Sequence, residues 1–139
     1  MIHKTGSAKW SGGLKDGKGF ISTETGVLSD QPYGFNTRFE DGKGTNPEEL
    51  LGAAHAACFS MALSNILGDY DMVADSIETT AKVTLDPGSL TITKVHLDLT
   101  ASIPGGDDAK FQEAAGKAKE GCPVSKLFDA EITLDAKLA

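Results

Sequence analysis

The segment that most constrains this fold is Asn46-Pro47-Glu48-Glu49 and the almost unbroken apolar run that follows it to Leu67. Asn46 offers a side-chain cap, Pro47 suits the first helical position, and two acids stand in the first turn, where the helix dipole favours them. The pattern predicts a helix running to about Leu67, with Gly68 as its stop. It is apolar nearly all round, so a central, buried helix is expected rather than a surface one. Leu50 to Leu67 also approaches the length of a membrane span. Gly52, His55, Ser60, Ser64 and Asn65 interrupt that run, and Asp69 and Asp71 follow at once. Polar groups are costly in hydrocarbon, so the buried helix of a soluble protein is the better reading.

Around this helix the chain alternates between short strands and two further helices. In the first forty residues Gly12-Gly13, Asp16-Gly17 and Gly26 punctuate strand-like stretches such as Lys18–Thr23, and Asp41-Gly42-Lys43-Gly44 closes the region. Residues 79–85 and 90–99 alternate at period two on either side of Asp86-Pro87-Gly88-Ser89, which predicts a long hairpin with one wet face. A second helix is expected from Asp107 to Lys119, a short third one opening at Cys122-Pro123, and a final strand from Ala130 to Leu138. The expectation is a single α+β domain over residues 1–139, with antiparallel sheet packed around the central helix.

Composition removes several function classes. The net charge of −7 supplies no basic stripe for nucleic acid, and it disfavours an anionic membrane surface. No apolar stretch follows Lys4, so no secretory signal is read, and two cysteines are too few for a secreted disulfide scaffold. A cytoplasmic protein is expected. His3, His55 and His96 have no metal-ligand spacing, so no metal site is expected.

The two cysteines sit in different settings. Cys122 follows Gly121 and precedes Pro123, so it is expected to cap the short third helix, a placement that stabilises a thiolate. Cys58 lies far past the first turn of the long helix, beyond the reach of its dipole, and apolar surroundings disfavour its thiolate. On local electrostatics Cys122 is the reactive thiol. For Cys58 to act, a cation must be brought to it from elsewhere, and Arg38 is the single arginine among twelve lysines. Phe35 and Phe39 flank that arginine, and a plain surface arginine in a loop is the competing reading.

Gly44–Leu63 together with Gly121-Cys122-Pro123-Val124-Ser125 resembles the osmotically inducible protein C (OsmC) and organic hydroperoxide resistance (Ohr) family. The resemblance runs nearly end to end, and Ser22–Leu28 and Gln31–Glu40 are similar to its OsmC branch. It implies a thiol peroxidase that reduces organic hydroperoxides with no metal or flavin, and an intertwined homodimer. By the same resemblance Cys58 is the peroxidatic cysteine, Cys122 the resolving one, and Arg38 and Glu48 organise the thiolate. The implied cycle runs through a Cys58 sulfenic acid and a Cys58–Cys122 disulfide, reduced by an external dithiol such as dihydrolipoamide.

Glu48 and Cys58 are ten residues apart on the expected helix, about 15 Å along its axis. They cannot touch in a straight helix, so if Glu48 helps set the thiolate either the helix breaks between them or Glu48 comes from a second subunit. The latter is expected: a symmetric homodimer with two active sites at or near its interface. Glu49 points away from Cys58 and is read as structural, reaching back to the cap. His55 is read mainly as a hydrogen-bonded core histidine, with a Cys58–His55 pair as the sharper alternative. Ser60 and Ser64 are read as polar fill. Trp10, Tyr33, Phe35, Phe39 and Met61 are read as core or pocket wall. The competing function is a stress-induced binding or structural protein whose cysteines are not catalytic.

Overall fold

The computed structural model describes residues 1–139, which fall into two units, Met1–Leu50 and Leu51–Ala139. In the first, β1 (Gly6–Ser11), β2 (Lys18–Thr23) and β3 (Gln31–Tyr33) form an antiparallel sheet in that order. Gly19 is paired with Trp10 on one side and Tyr33 on the other. The two rings lie 5.6 Å apart, and a Cβ at Gly19 would stand 2.4 Å from Tyr33 Cε1. Only glycine lets both aromatics fold over the central strand here.

A short helix, α1 (Phe35–Phe39), follows where the sequence suggested a loop. The buried Thr37 hydroxyl holds its start, accepting from the Gly34 N–H at 2.8 Å and donating to the Gly34 carbonyl at 3.0 Å. Five residues are too few to show helical periodicity, so the element was invisible to pattern reading.

α2 (Pro47–Gly68) begins at the end of the first unit and continues into the second. The Asn46 cap forms as expected, Oδ1 accepting from the Glu49 N–H at 2.8 Å. Glu49 thus enters the cap through its backbone rather than its carboxylate. The expected burial all round needs correction. Gly52, His55, Phe59, Leu63 and Leu67 form one buried stripe, whereas Ala53, Ala54 and Ala57 are exposed and Met61 is 77% exposed. The chain covers one side of its own apolar helix, and Met61 is neither core nor pocket wall.

In the second unit β4 (Ser76–Asp86) and β5 (Thr91–Ser102) make the expected antiparallel hairpin. α3 (Asp108–Gly121), capped by Asp107 through the Lys110 N–H at 3.0 Å, and α4 (Pro123–Leu127) lead to β6 (Glu131–Leu138). β6 pairs with β5 in parallel, so this sheet is mixed rather than antiparallel throughout. Parallel neighbours need a crossover with room for a helix, and α3 and α4 supply it. The core lies wholly in this unit: Phe59, Leu63 and Leu67 of α2 pack with Val95, Leu97 and Leu99 of β5 and with Phe111, Ala115 and Ala118 of α3. Gly52 sets how closely α2 approaches β4, since a Cβ there would stand 3.0 Å from the Ala81 carbonyl oxygen.

Candidate active site

Two constellations carry chemistry, one in each unit. In the first, α1 and the opening turn of α2 bring Arg38 to Glu48. The guanidinium donates to Glu48 Oε1 from Nη2 at 2.9 Å and from Nε at 3.1 Å. Arg38 is 40% exposed, while the Glu48 side chain is 12% exposed and its Oε2 is buried without a partner. The arginine also lies over the Phe39 ring, 5.5 Å from its centroid. Arg38 is exposed, as the competing reading had it, but it stands in α1 rather than in a loop. Arg38 is held by a carboxylate and an aromatic face, the two partners that suit its planar fork. Beside it opens a cavity of about 190 Å³, lined by Trp10, Leu14, Tyr33, Phe35, Phe39 and Arg38 among others. Four of the residues read as core or pocket wall are thus walls of one pocket.

The second constellation holds both thiols, and both are free. Cys122 is fully buried and caps α4 as expected, its Sγ accepting from the Ser125 N–H at 3.4 Å. Cys58, half-buried on α2, lies close enough to Cys122 for that thiol to oppose its ionisation. Burial pushes the Cys58 thiol above its ordinary range, the Val124 N–H pulls it down, and Cys122 pushes it further up. The expectation that apolar surroundings work against a Cys58 thiolate holds. The Val124 N–H was not foreseen; it comes from the first turn of α4, far away in sequence.

His55 is fully buried one turn before Cys58, but it does not pair with Cys58. Its Nε2 lies 2.7 Å from Ser125 Oγ, and Ser125 Oγ lies 3.0 Å from Cys122 Sγ. The Phe128 ring stands edge-on to the imidazole at 5.3 Å, and Nδ1 has no hydrogen-bond partner. Burial lowers the His55 proton affinity below that of an ordinary histidine. Ser125 had no signal of its own in the sequence. Its place in Cys122-Pro123-Val124-Ser125, one turn after a capping thiol, is the only hint that could have found it. Ser60, read as polar fill, shares a hydrogen bond with Thr79 at 2.7 Å.

The parallel pairing of β5 and β6 also brings together the ligand atoms of His96, Asp98 and Asp135, all within 4.8 Å of one another. Both imidazole nitrogens of His96 are already engaged, by Thr133 Oγ1 and by Asp135 Oδ2. The two aspartates are solvent-exposed, and nothing there resembles an enclosed metal centre.

Comparison with known proteins identifies the family of the chain. The sequence pattern of OsmC-like proteins matches residues 40–137. The chain is 58% identical over 139 residues to peroxiredoxin OsmC of Escherichia coli, covering 99% of this chain and 97% of that one. It is 31% identical over 121 residues to the organic hydroperoxide resistance protein OhrB of Bacillus subtilis, covering 86% and 88% of the two chains. The crystal structure of that OhrB superposes with a TM-score of 0.66 at 27% identity, over 97% of this chain and 98% of the other. An OsmC-like protein of unknown function from Vibrio cholerae shares the fold at a TM-score of 0.76 and 16% identity, over 98% and 99% of the two chains. With a match to the family pattern over most of its length and a close relative spanning nearly all of it, the chain belongs to the OsmC-like protein family.

Proposed function

We propose that this protein is a thiol-dependent peroxidase that reduces organic hydroperoxides to alcohols, with Cys58 as the attacking thiol and Cys122 as the resolving one. One observation carries the assignment of roles. Both thiols are free and influence each other, and Cys58 is partly exposed whereas Cys122, which caps α4, is fully buried, which supports Cys58 as the thiol that substrate reaches. The Cys58 thiolate attacks the terminal peroxide oxygen, the O–O bond breaks, and the departing alkoxide takes a proton to leave as alcohol. Cys58 is then a sulfenic acid. Cys122 displaces its hydroxyl, forming the disulfide and releasing water, and an external dithiol returns both sulfurs to thiols. No prosthetic group is required by any of these steps.

Arg38 and Glu48 supply the cation that Cys58 lacks locally. α2 is unbroken from Glu48 to Cys58, and ten residues of helix span about 15 Å. The pair therefore serves the Cys58 of a second copy, in a symmetric homodimer with a site at each end of its interface. The open apolar side of α2 and the fully exposed β1 support this, since such surfaces are ordinarily covered by a partner. The aromatic cavity beside Arg38 suits the organic part of the peroxide better than hydrogen peroxide. Residues 1–139 act as one cytoplasmic catalytic domain in this reading.

Turnover of cumene hydroperoxide with dihydrolipoamide tests the activity, and full rate in Cys58→Ser refutes it. Mass spectrometry after one equivalent of peroxide should find the Cys58–Cys122 disulfide, and in Cys122→Ser a sulfenic acid trapped at Cys58. Co-refolding Cys58→Ser with Arg38→Met tests the shared site, because a mixed dimer regains one intact centre. Unchanged peroxidase activity in a strictly monomeric preparation refutes the dimer.

A further inference from the structure

The geometry points to a proton relay behind the resolving thiol: Ser125 and His55 take the proton of Cys122 as it becomes a thiolate and give it up once the disulfide has closed. The inference rests on the roles proposed above for Cys58 and Cys122, and it adds two residues that those roles do not require.

Three atoms stand in line, each within hydrogen-bonding distance of the next. Cys122 Sγ is 3.0 Å from Ser125 Oγ, which is 2.7 Å from His55 Nε2. All three residues are buried, His55 and Cys122 completely, so bulk water is not at hand to take a proton from Cys122. A thiol attacks as the thiolate, so a proton must leave Cys122 before or during attack. Ser125 is the one side chain bonded to that sulfur, and its hydroxyl can accept from S–H while donating to Nε2. His55 is the terminal acceptor. Burial disfavours its protonated form, so its hold on the proton is brief. It holds the proton only while a thiolate stands at the other end of the line to balance the charge.

The step balances without any co-reactant. Cys122 loses its proton through Ser125 to His55, and its sulfur then attacks the sulfenic sulfur of Cys58. The S–S bond forms as the S–O bond breaks. The hydroxide that leaves needs one proton to become water. His55, with no thiolate left to balance its charge, gives up the one taken from Cys122, so the step ends with neutral His55 and one water. Cys122 sulfur is oxidised by one unit and Cys58 sulfur reduced by one. The groups facing His55 are Ser125 of α4 and Phe128 beyond it, neither of them charged. The titratable group facing Cys122 is Cys58 of α2. None of the ion pairs of the protein, Arg38–Glu48, His96–Asp135 and Lys117–Glu113, involves a residue of this line.

Ser125 touches a reacting sulfur and is catalytic in this sense, whereas His55 acts through it as a positioning residue. The test is single-turnover kinetics of the whole protein with one equivalent of cumene hydroperoxide, reading sulfenic acid formation and disulfide closure in the same trace across pH 6 to 10. In Ser125→Ala and His55→Gln, closure should slow about 10- to 100-fold more than oxidation does at pH 7. The deficit should shrink toward pH 10, where a Cys122 thiol exposed by transient local opening loses its proton to solvent without the relay. Ser125→Thr keeps the hydroxyl and should restore most of the closure rate. Closure as fast as wild type in both variants overturns the relay, and so does a deficit equal at every pH, which marks a merely structural role. A wild-type protein that forms no Cys58–Cys122 disulfide would instead refute the underlying assignment of the thiols.

Discussion

Removing the Ser125 hydroxyl should destabilise the reduced protein by about 2 kcal/mol, and the size of that loss follows from what surrounds His55. The imidazole is fully buried, its Nδ1 already lacks a partner, and Ser125 Oγ is the one group bonded to Nε2. Ser125→Ala therefore leaves a buried ring with no hydrogen bond at all. An orphaned buried polar group costs about 1–3 kcal/mol, whereas replacing both partners by apolar groups approaches neutrality. In a chain of this size 2 kcal/mol lowers Tm by about 5–8 °C. The same logic sets the sign of the second arm. His55→Leu introduced into the Ser125→Ala background should recover stability, giving a coupling of at least about 1 kcal/mol between the two sites. Urea denaturation followed by circular dichroism measures both, with the thiols kept reduced and protein concentration held fixed, because subunit association adds to apparent stability. A Ser125→Ala protein within about 0.5 kcal/mol of wild type refutes the reasoning. A double variant that falls by the plain sum of the two single changes refutes it equally.

Three further outcomes are expected. Arg38→Met removes both charge-assisted bonds to Glu48 Oε1, worth about 1.5–3 kcal/mol, and should lower kcat/KM for cumene hydroperoxide by about 10- to 100-fold; an unchanged value removes Arg38 from the proposed site. Phe59→Ala empties a fully buried position at the meeting of α2 with β5 and α3, and should cost about 3–5 kcal/mol in thermal or chemical unfolding. Stability should fall as the medium is acidified through the range just below pH 6.5. There the unfolded chain protonates His55 while the native state, where burial lowers its pKa, resists. The contribution is fully present above that pH, and its slope is at most about 1.4 kcal/mol per pH unit. His55→Leu should remove that part of the pH dependence, as seen in paired urea titrations at pH 5 and 7.5.

What could be read from the sequence was local in origin. The Asn46 cap, the Pro47 start, the β4–β5 hairpin and the Cys122 cap each depend on residues within a turn of one another, and each formed where expected. The apolar run of α2 told of burial but not of what does the burying. One stripe of it packs in the core of its own chain and the remainder stays open.

What only the tertiary structure decided were the meetings between distant segments. The parallel register of β5 with β6 depends on a crossover through α3 and α4, and alternation at period two is the same in either direction. Arg38 meets Glu48 because α1 forms at all, and α1 is held by one buried threonine hydroxyl rather than by any pattern. The Val124 N–H of α4 favours ionisation of the Cys58 thiol, and His55 reaches Cys122 through Ser125, seventy residues further along the chain. Composition and periodicity report how a residue is solvated, which was enough to mark both cysteines and the one arginine. A proton line or a thiol pair depends on distances of about 3 Å, and those are set only when α2 and α4 pack against each other.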